Sequence, residues 1–366
     1  MVTLHVRAAS ALLVLGAACL LAAVAGGLLR AGVGGLDSQG AGLAAAAHAA
    51  LMMSGFLGTV IAIERAVAVK LRWAFVAPAL SALGGLLMLA SQWQAGTWVS
   101  VLAAAVFVAV NGIVVVRQAA AHTALMGVGA LAWLSGNLML ATGLGVNAAM
   151  PWWFAFLVLT IAAERLEMTR LTRRHSLAQP SLVIILATLL SGAALAAAKP
   201  MWGGLLYGSA LVSLAVWLAL FDIARHTVRA HGLSRYMALC LLAGYAWLAV
   251  AGVAWTGMAV GCPGRDMALH ALGLGFVISM VMGHAPVILP AVARIKLHFG
   301  PWFYLPLAML HASLALRLFG GFTHPALRTL GAALNAASLG VFVLTVLASA
   351  LAWRMRHGAA LVARMR

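Results

Sequence analysis

Apolar residues recur along this chain in stretches of about twenty, separated by short basic or glycine-rich breaks. As an α-helix, a stretch of that length covers roughly 30 Å of hydrocarbon. The breaks divide the chain into twelve spans, near 8–29, 43–63, 74–91, 98–116, 125–144, 151–168, 181–198, 202–221, 237–260, 267–289, 302–320 and 329–352. The short alternating segments of a transmembrane barrel are missing. No polar stretch is long enough to fold by itself. The pattern predicts an all-α polytopic membrane protein with twelve transmembrane helices, residues 1–366 forming a single integral membrane domain.

Composition agrees. Of 366 residues, 65% are hydrophobic and 8% charged, and the mean hydropathy is +1.07. The net charge of +17 reflects scarce acids: Asp37, Glu64, Glu164, Glu167, Asp222 and Asp266 are the only carboxylates. In a soluble chain that balance would raise nucleic acid as a partner. Here the bases sit in short loops between spans, so they report membrane topology, and the expected partner is the lipid bilayer.

The loops alternate in charge. One set, with the termini, holds Arg7; Arg65, Lys70 and Arg72; Arg117; Arg165, Arg170, Arg173 and Arg174; Arg225, Arg229 and Arg235; Arg294 and Lys296; and Arg354, Arg356, Arg364 and Arg366. The other set holds only Arg30, Lys199, Arg265 and Arg328, and Arg317 lies inside the eleventh span. Eighteen against four, alternating at every turn, places both termini in the cytoplasm. Arg7 before an apolar, alanine-rich run also resembles a signal peptide, but the run is long enough to be a span. Cys19, Cys240 and Cys262 form no C-x-x-C, which argues against covalent haem attachment and a cysteine zinc site.

A weak repeat is present. Ile61-Ala-Ile-Glu64-Arg65 ends the second span, Ile161-Ala-Ala-Glu164-Arg165 ends the sixth, and Met282-Gly283-His284 occupies the corresponding stretch of the tenth. Spacing by four spans fits three four-helix arcs around a pseudo-threefold axis. Each Glu-Arg pair reads more simply as an interfacial anchor at a helix end.

The chemistry lies in the histidines. Of twelve, His48, His270, His284 and His311 fall within spans. An intramembrane ionisable residue is costly and is by default a functional candidate. His48 and His270 lie five and three residues into spans that run the same way, roughly 5–10 Å below the same boundary. Matched depth is what two axial ligands of one upright haem require. Small neighbours, Ala47, Ala49, Ala50 and Gly55 at one and Ala271, Gly273 and Gly275 at the other, leave room for a flat macrocycle.

His284, fourteen residues after His270, is nearly four turns on and about 21 Å deeper, on nearly the same face. With His311, near the middle of the eleventh span, it is a candidate for a second haem or a copper ion. Their unequal depths count against a shared metal. Arg317 needs a partner, for which a haem propionate, Asp266 or a backbone carbonyl would each serve. Met52, one turn after His48, is a packing residue within reach of a metal.

The stretch His48-Ala-Ala-Leu-Met52-Met53-Ser-Gly55-Phe-Leu-Gly58 resembles the H-x-x-x-M-x-x-G-F-x-G-like helix of the NnrS family. Leu269-His270-Ala-Leu-Gly273-Leu-Gly275-Phe followed by Gly283-His284 resembles that family's other hallmark, and Leu316-Arg317 fits its pattern. More distantly, both helices are similar to the haem-ligand helices of haem-copper oxidase catalytic subunits. The resemblance implies haem b, with copper as a further candidate, in a bacterial inner-membrane protein of nitric oxide metabolism. It also implies a membrane redox partner or complex. The sixth and seventh spans lack the oxidases' copper-ligating histidines, so oxygen reduction by their mechanism is not expected. A haem-dependent oxidoreductase activity, a secondary transporter and an assembly subunit of a respiratory complex are the function classes left open. Twelve spans with cytoplasmic termini are common among transporters, and Pro286 and Pro290 could break the inner end of the tenth span, as such a protein would need.

Overall fold

A computed structural model describes residues 2–34, 39–168 and 176–364. Asp37, Arg170, Arg173, Arg174, His175 and Arg366 lie outside the described residues. Among those described, twelve helices are long and apolar enough to cross a membrane, and no strand is present. They are α1 (Arg7–Arg30), α2 (Gly40–Val69), α3 (Arg72–Leu89), α4 (Trp93–Arg117), α5 (Ala121–Ala141), α6 (Val146–Met168), α7 (Ala178–Ala196), α8 (Pro200–Phe221), α9 (Gly232–Ala259), α10 (Arg265–Ala293), α11 (Pro301–Thr323) and α12 (Pro325–Arg356). The protein is an all-α polytopic membrane protein. With an even number of spans, both ends of the chain lie on one face of the bundle, here the terminal face; the other is the opposite face.

Most helices pack on their neighbours in sequence, and α10 also meets α1, α2 and α6. The three most buried spans are α2, α6 and α10, four apart like the sequence repeat. The least buried is α12, which packs chiefly on α11. Lipid offers no hydrophobic force between helices, so close packing and buried hydrogen bonds hold the bundle together. Glycine provides the closest approach where α8 meets α9. A Cβ on Gly208 would lie 2.7 Å from the Gly252 carbonyl oxygen, and one on Gly252 would lie equally near the Gly208 oxygen.

A polar knot ties α2, α4, α5 and α6 in mid-bundle. Asn137 Oδ1 accepts from Ser54 Oγ at 2.8 Å and Trp153 Nε1 at 2.9 Å, and Asn137 Nδ2 donates to the Ser100 carbonyl at 3.1 Å. Trp133 Nε1 donates to Ser54 Oγ at 3.1 Å, while its ring stacks on Phe156 with centroids 5.3 Å apart. All five polar or indole side chains are buried. In hydrocarbon each would be costly alone.

Two proline expectations are corrected. The helix α10 runs on through Pro286 and Pro290 and ends only at Ala293, where Arg294 turns left-handed at φ 56°. Pro286 lacks the N–H that would reach the Met282 carbonyl. The Tyr236 hydroxyl donates to that carbonyl instead, at 3.3 Å, so the freed group is satisfied and the helix need not stop.

Replacing Asn137 by Val removes an acceptor for two buried donors. The expected cost is about 1–3 kcal/mol, read as a lower unfolding temperature in detergent. An unchanged temperature would show that the knot does not stabilise the bundle.

Candidate functional site

At the opposite-face end of the central helices lies a cavity of about 740 Å³, within the usual range of roughly 300–1,000 Å³ for ligand and cofactor sites. His48 and His270 both line it, from α2 and α10. Met52, Met53, Leu57, Phe154, Leu157 and Leu274 provide apolar wall, and Arg30, Arg265, Arg317 and Arg328 line it as well.

The two imidazoles are held alike. His48 Nδ1–H donates to the Ala23 carbonyl on α1 at 2.6 Å. The ring lies over Gly27, where a Cβ would come within 2.8 Å of it. His270 Nδ1–H lies 3.0 Å from the Asp266 carbonyl and 2.9 Å from Asp266 Oδ1. Anchoring Nδ1–H to oxygen fixes the tautomer and leaves the Nε2 lone pair, which is how metal-binding histidines are commonly oriented. Arg317 finds its partner in Asp266: Nε donates to Oδ2 at 3.0 Å and Nη2 to Oδ1 at 2.7 Å, a two-pronged pair. Arg317 Nη2 is also 3.1 Å from His270 Nε2 and 3.3 Å from Nδ1. Such near-equal distances place it over the ring face rather than along the axis of the Nε2 lone pair.

Wide π-type turns accompany these side chains. One spans Leu51–Gly58, three residues after His48; one spans Ala271–Ile278, directly after His270; a third, Leu316–Gly320, contains Arg317. Such turns re-phase a helix and cluster at functional sites. They also alter the expectation that His284 shares the face of His270, because that phase assumed an unbroken α-helix. The small residues divide their roles. Ala49 and Gly273 line the cavity. Gly55 packs on Cys19, and a Cβ on Gly275 would lie 2.4 Å from Trp247.

The structure does not bring His284 and His311 together. His284 Nδ1–H donates to the Met280 carbonyl at 2.7 Å, and its Nε2 accepts from Arg165 Nη2 at 3.0 Å. His311 Nδ1 accepts from Trp247 Nε1 at 2.9 Å, and its buried Nε2 has no partner. Neither lines the cavity. Among the described residues no three His, Cys, Asp or Glu converge as a metal-holding group.

The Glu-Arg repeat is more than an interfacial anchor. Toward the terminal face Arg165 is buried, reaching His284 and lying 3.9 Å from the fully buried Asp222. Asp222 also accepts from the Tyr245 hydroxyl at 2.6 Å and the Ala224 amide at 2.9 Å. Glu64 stands within electrostatic reach of Glu164, Arg65 and His284. The Asp222–Tyr245 partnership was missed by sequence reading; a lone acid beside an apolar span was its only signal.

Three of the four basic residues in the sparsely charged loops, Arg30, Arg265 and Arg328, line this cavity. A family model described as a domain of unknown function, DUF8744, matches residues 7–351, so the chain belongs to that family. No curated protein and no solved structure matches it significantly.

Replacing Arg165 by Met strips Asp222 of its buried counter-charge. The expected destabilisation is about 3–5 kcal/mol, the usual cost of halving a buried pair. Thermal unfolding of the purified protein measures it, and a shift no larger than that of a surface Arg variant would refute the pairing.

Proposed function

We propose that this member of the DUF8744 family is a haem b protein of a bacterial inner membrane, with His48 and His270 as the two axial ligands. The observation that carries the reading is the shared geometry of the imidazoles. Each is anchored through Nδ1 and each lines the same cavity, so each could offer Nε2 to iron once Arg317 Nη2, 3.1 Å from His270 Nε2, gives way. The cavity fits the group in size, in its apolar wall and in its arginines, which suit the carboxylates of a dianionic macrocycle. When bound, haem would supply reversible one-electron chemistry, which suits electron transfer.

The chain's own residues then divide the work. Ala23 and Asp266 orient the two rings, and Gly27 gives the His48 ring its room. Phe154, Leu157 and Leu274 would exclude water from a bound haem, and Arg30, Arg265 and Arg328 would offer charge to its carboxylates. The likeness of the two histidine helices to the NnrS family points to nitric oxide metabolism and a membrane redox partner. Loop charge supports cytoplasmic termini, with the cavity on the outer side.

The ligand assignment is tested by reduced-minus-oxidised spectra of the purified protein. A b-type band is expected in wild type and lost in His48→Ala, His270→Ala and Gly27→Val. No band in wild type, or its survival in both histidine variants, would overturn the reading. Substrate uptake by haem-free proteoliposomes would favour a transporter instead.

Topology has its own test. Cys262 is exposed on the opposite face, while Cys19 and Cys240 are buried. A membrane-impermeant maleimide added to intact spheroplasts is expected to label Cys262 alone. Labelling only after lysis would reverse the orientation.

A further inference from the structure

The two imidazoles share an anchoring pattern but not an anchor. His48 Nδ1–H meets a neutral oxygen, the Ala23 carbonyl at 2.6 Å. His270 Nδ1–H meets a carboxylate, Asp266 Oδ1 at 2.9 Å. The same Oδ1 accepts from Arg317 Nη2 at 2.7 Å, so the histidine and the guanidinium draw on one oxygen. Arg317 Nε holds Oδ2 at 3.0 Å and fixes the carboxylate plane. The Arg317 side chain is 10% exposed and that of Asp266 34%, so water screens the pair in part. Part of the construction is local in sequence. Asp266 and His270 are one helical turn apart at the start of α10, and Arg317 reaches them from the π-type turn of α11.

We propose that Asp266 and Arg317 are positioning residues that set, in opposite directions, the electron affinity of iron held by His270. This rests on the haem reading given above. A carboxylate on the far N–H of a ligating imidazole makes that imidazole a stronger donor and favours the oxidised metal. A guanidinium paired with that carboxylate withdraws part of its charge and favours the reduced metal. Its place over the ring face puts a second positive influence on the same side. Arg30 and Arg317 are also within electrostatic reach of His48, but its Nδ1–H meets no carboxylate, so the asymmetry between the ligands lies in Asp266 on α10.

The test is a potentiometric titration of the b-type band in purified full-length protein supplied with haem b. Asp266→Asn is expected to raise the midpoint potential and Arg317→Gln to lower it. Each shift should be about threefold to tenfold in the oxidised-to-reduced ratio, tenfold being about 59 mV for a one-electron couple. Asp266→Glu is expected to stay close to wild type. A loss of packing alone would not move the two variants apart in sign. Shifts of the same sign, or an unchanged potential in Asp266→Asn, overturn the proposal. If Arg317→Gln fails to accumulate, Asp266→Asn and Asp266→Glu decide it alone. Absence of any band in wild type is a different result and fails the haem reading itself.

Discussion

A polar group carried into hydrocarbon must bring its partner or find one inside the protein, and this bundle is arranged around that requirement. With lipid outside and no water to share, an unpaired amide, imidazole or guanidinium costs several kcal/mol. The chain has few such groups, and nearly all of those in the spans face inward. Asn137 meets three partners, Arg317 meets Asp266, and Arg165 stands between His284 and Asp222. Each pairing joins different helices. The polar minority therefore fixes which helices touch, while alanine, glycine and leucine determine how closely.

The same requirement explains why the two ends of the central helices differ. Toward the terminal face opposite charges lie near one another: Arg165 by Asp222, and Glu64 within reach of Arg65. Toward the opposite face the donors converge on open volume. Two imidazoles and four arginines line one cavity, with Asp266 the only carboxylate among its lining residues. An excess of positive charge around an apolar space calls for an anionic, largely apolar occupant.

Much of this was legible in the sequence, in proportion to how directly hydrophobicity controls it. All twelve spans appeared because bilayer thickness fixes their length, and the helix edges differed by only a few residues where caps and loops decide. That His48 and His270 line one cavity accords with their matched depth, since rise per residue is nearly constant. Phase is harder to read. The π-type turns after both histidines rest on tertiary packing, such as Gly58 under Trp133 and Gly275 under Trp247, and no local residue preference announces them. Asp222 and Tyr245 were invisible for the same reason: their bond links chain positions 23 residues apart through a turn whose geometry only the fold sets.

The charge pattern shows how a topological rule and a binding site can coexist. Basic residues in the sparsely charged loops weaken the charge bias that the other eighteen create, so each needs a reason to stay. Arg30, Arg265 and Arg328 share one, because they come from three separate helix ends and converge on the same opening. Lys199, at the start of α8, does not line it. Three exceptions brought together from different parts of the chain are hard to attribute to drift. Read in this way, the exceptions to the charge rule locate the cavity independently of the histidines, and the two lines of reasoning meet at one end of α2 and α10.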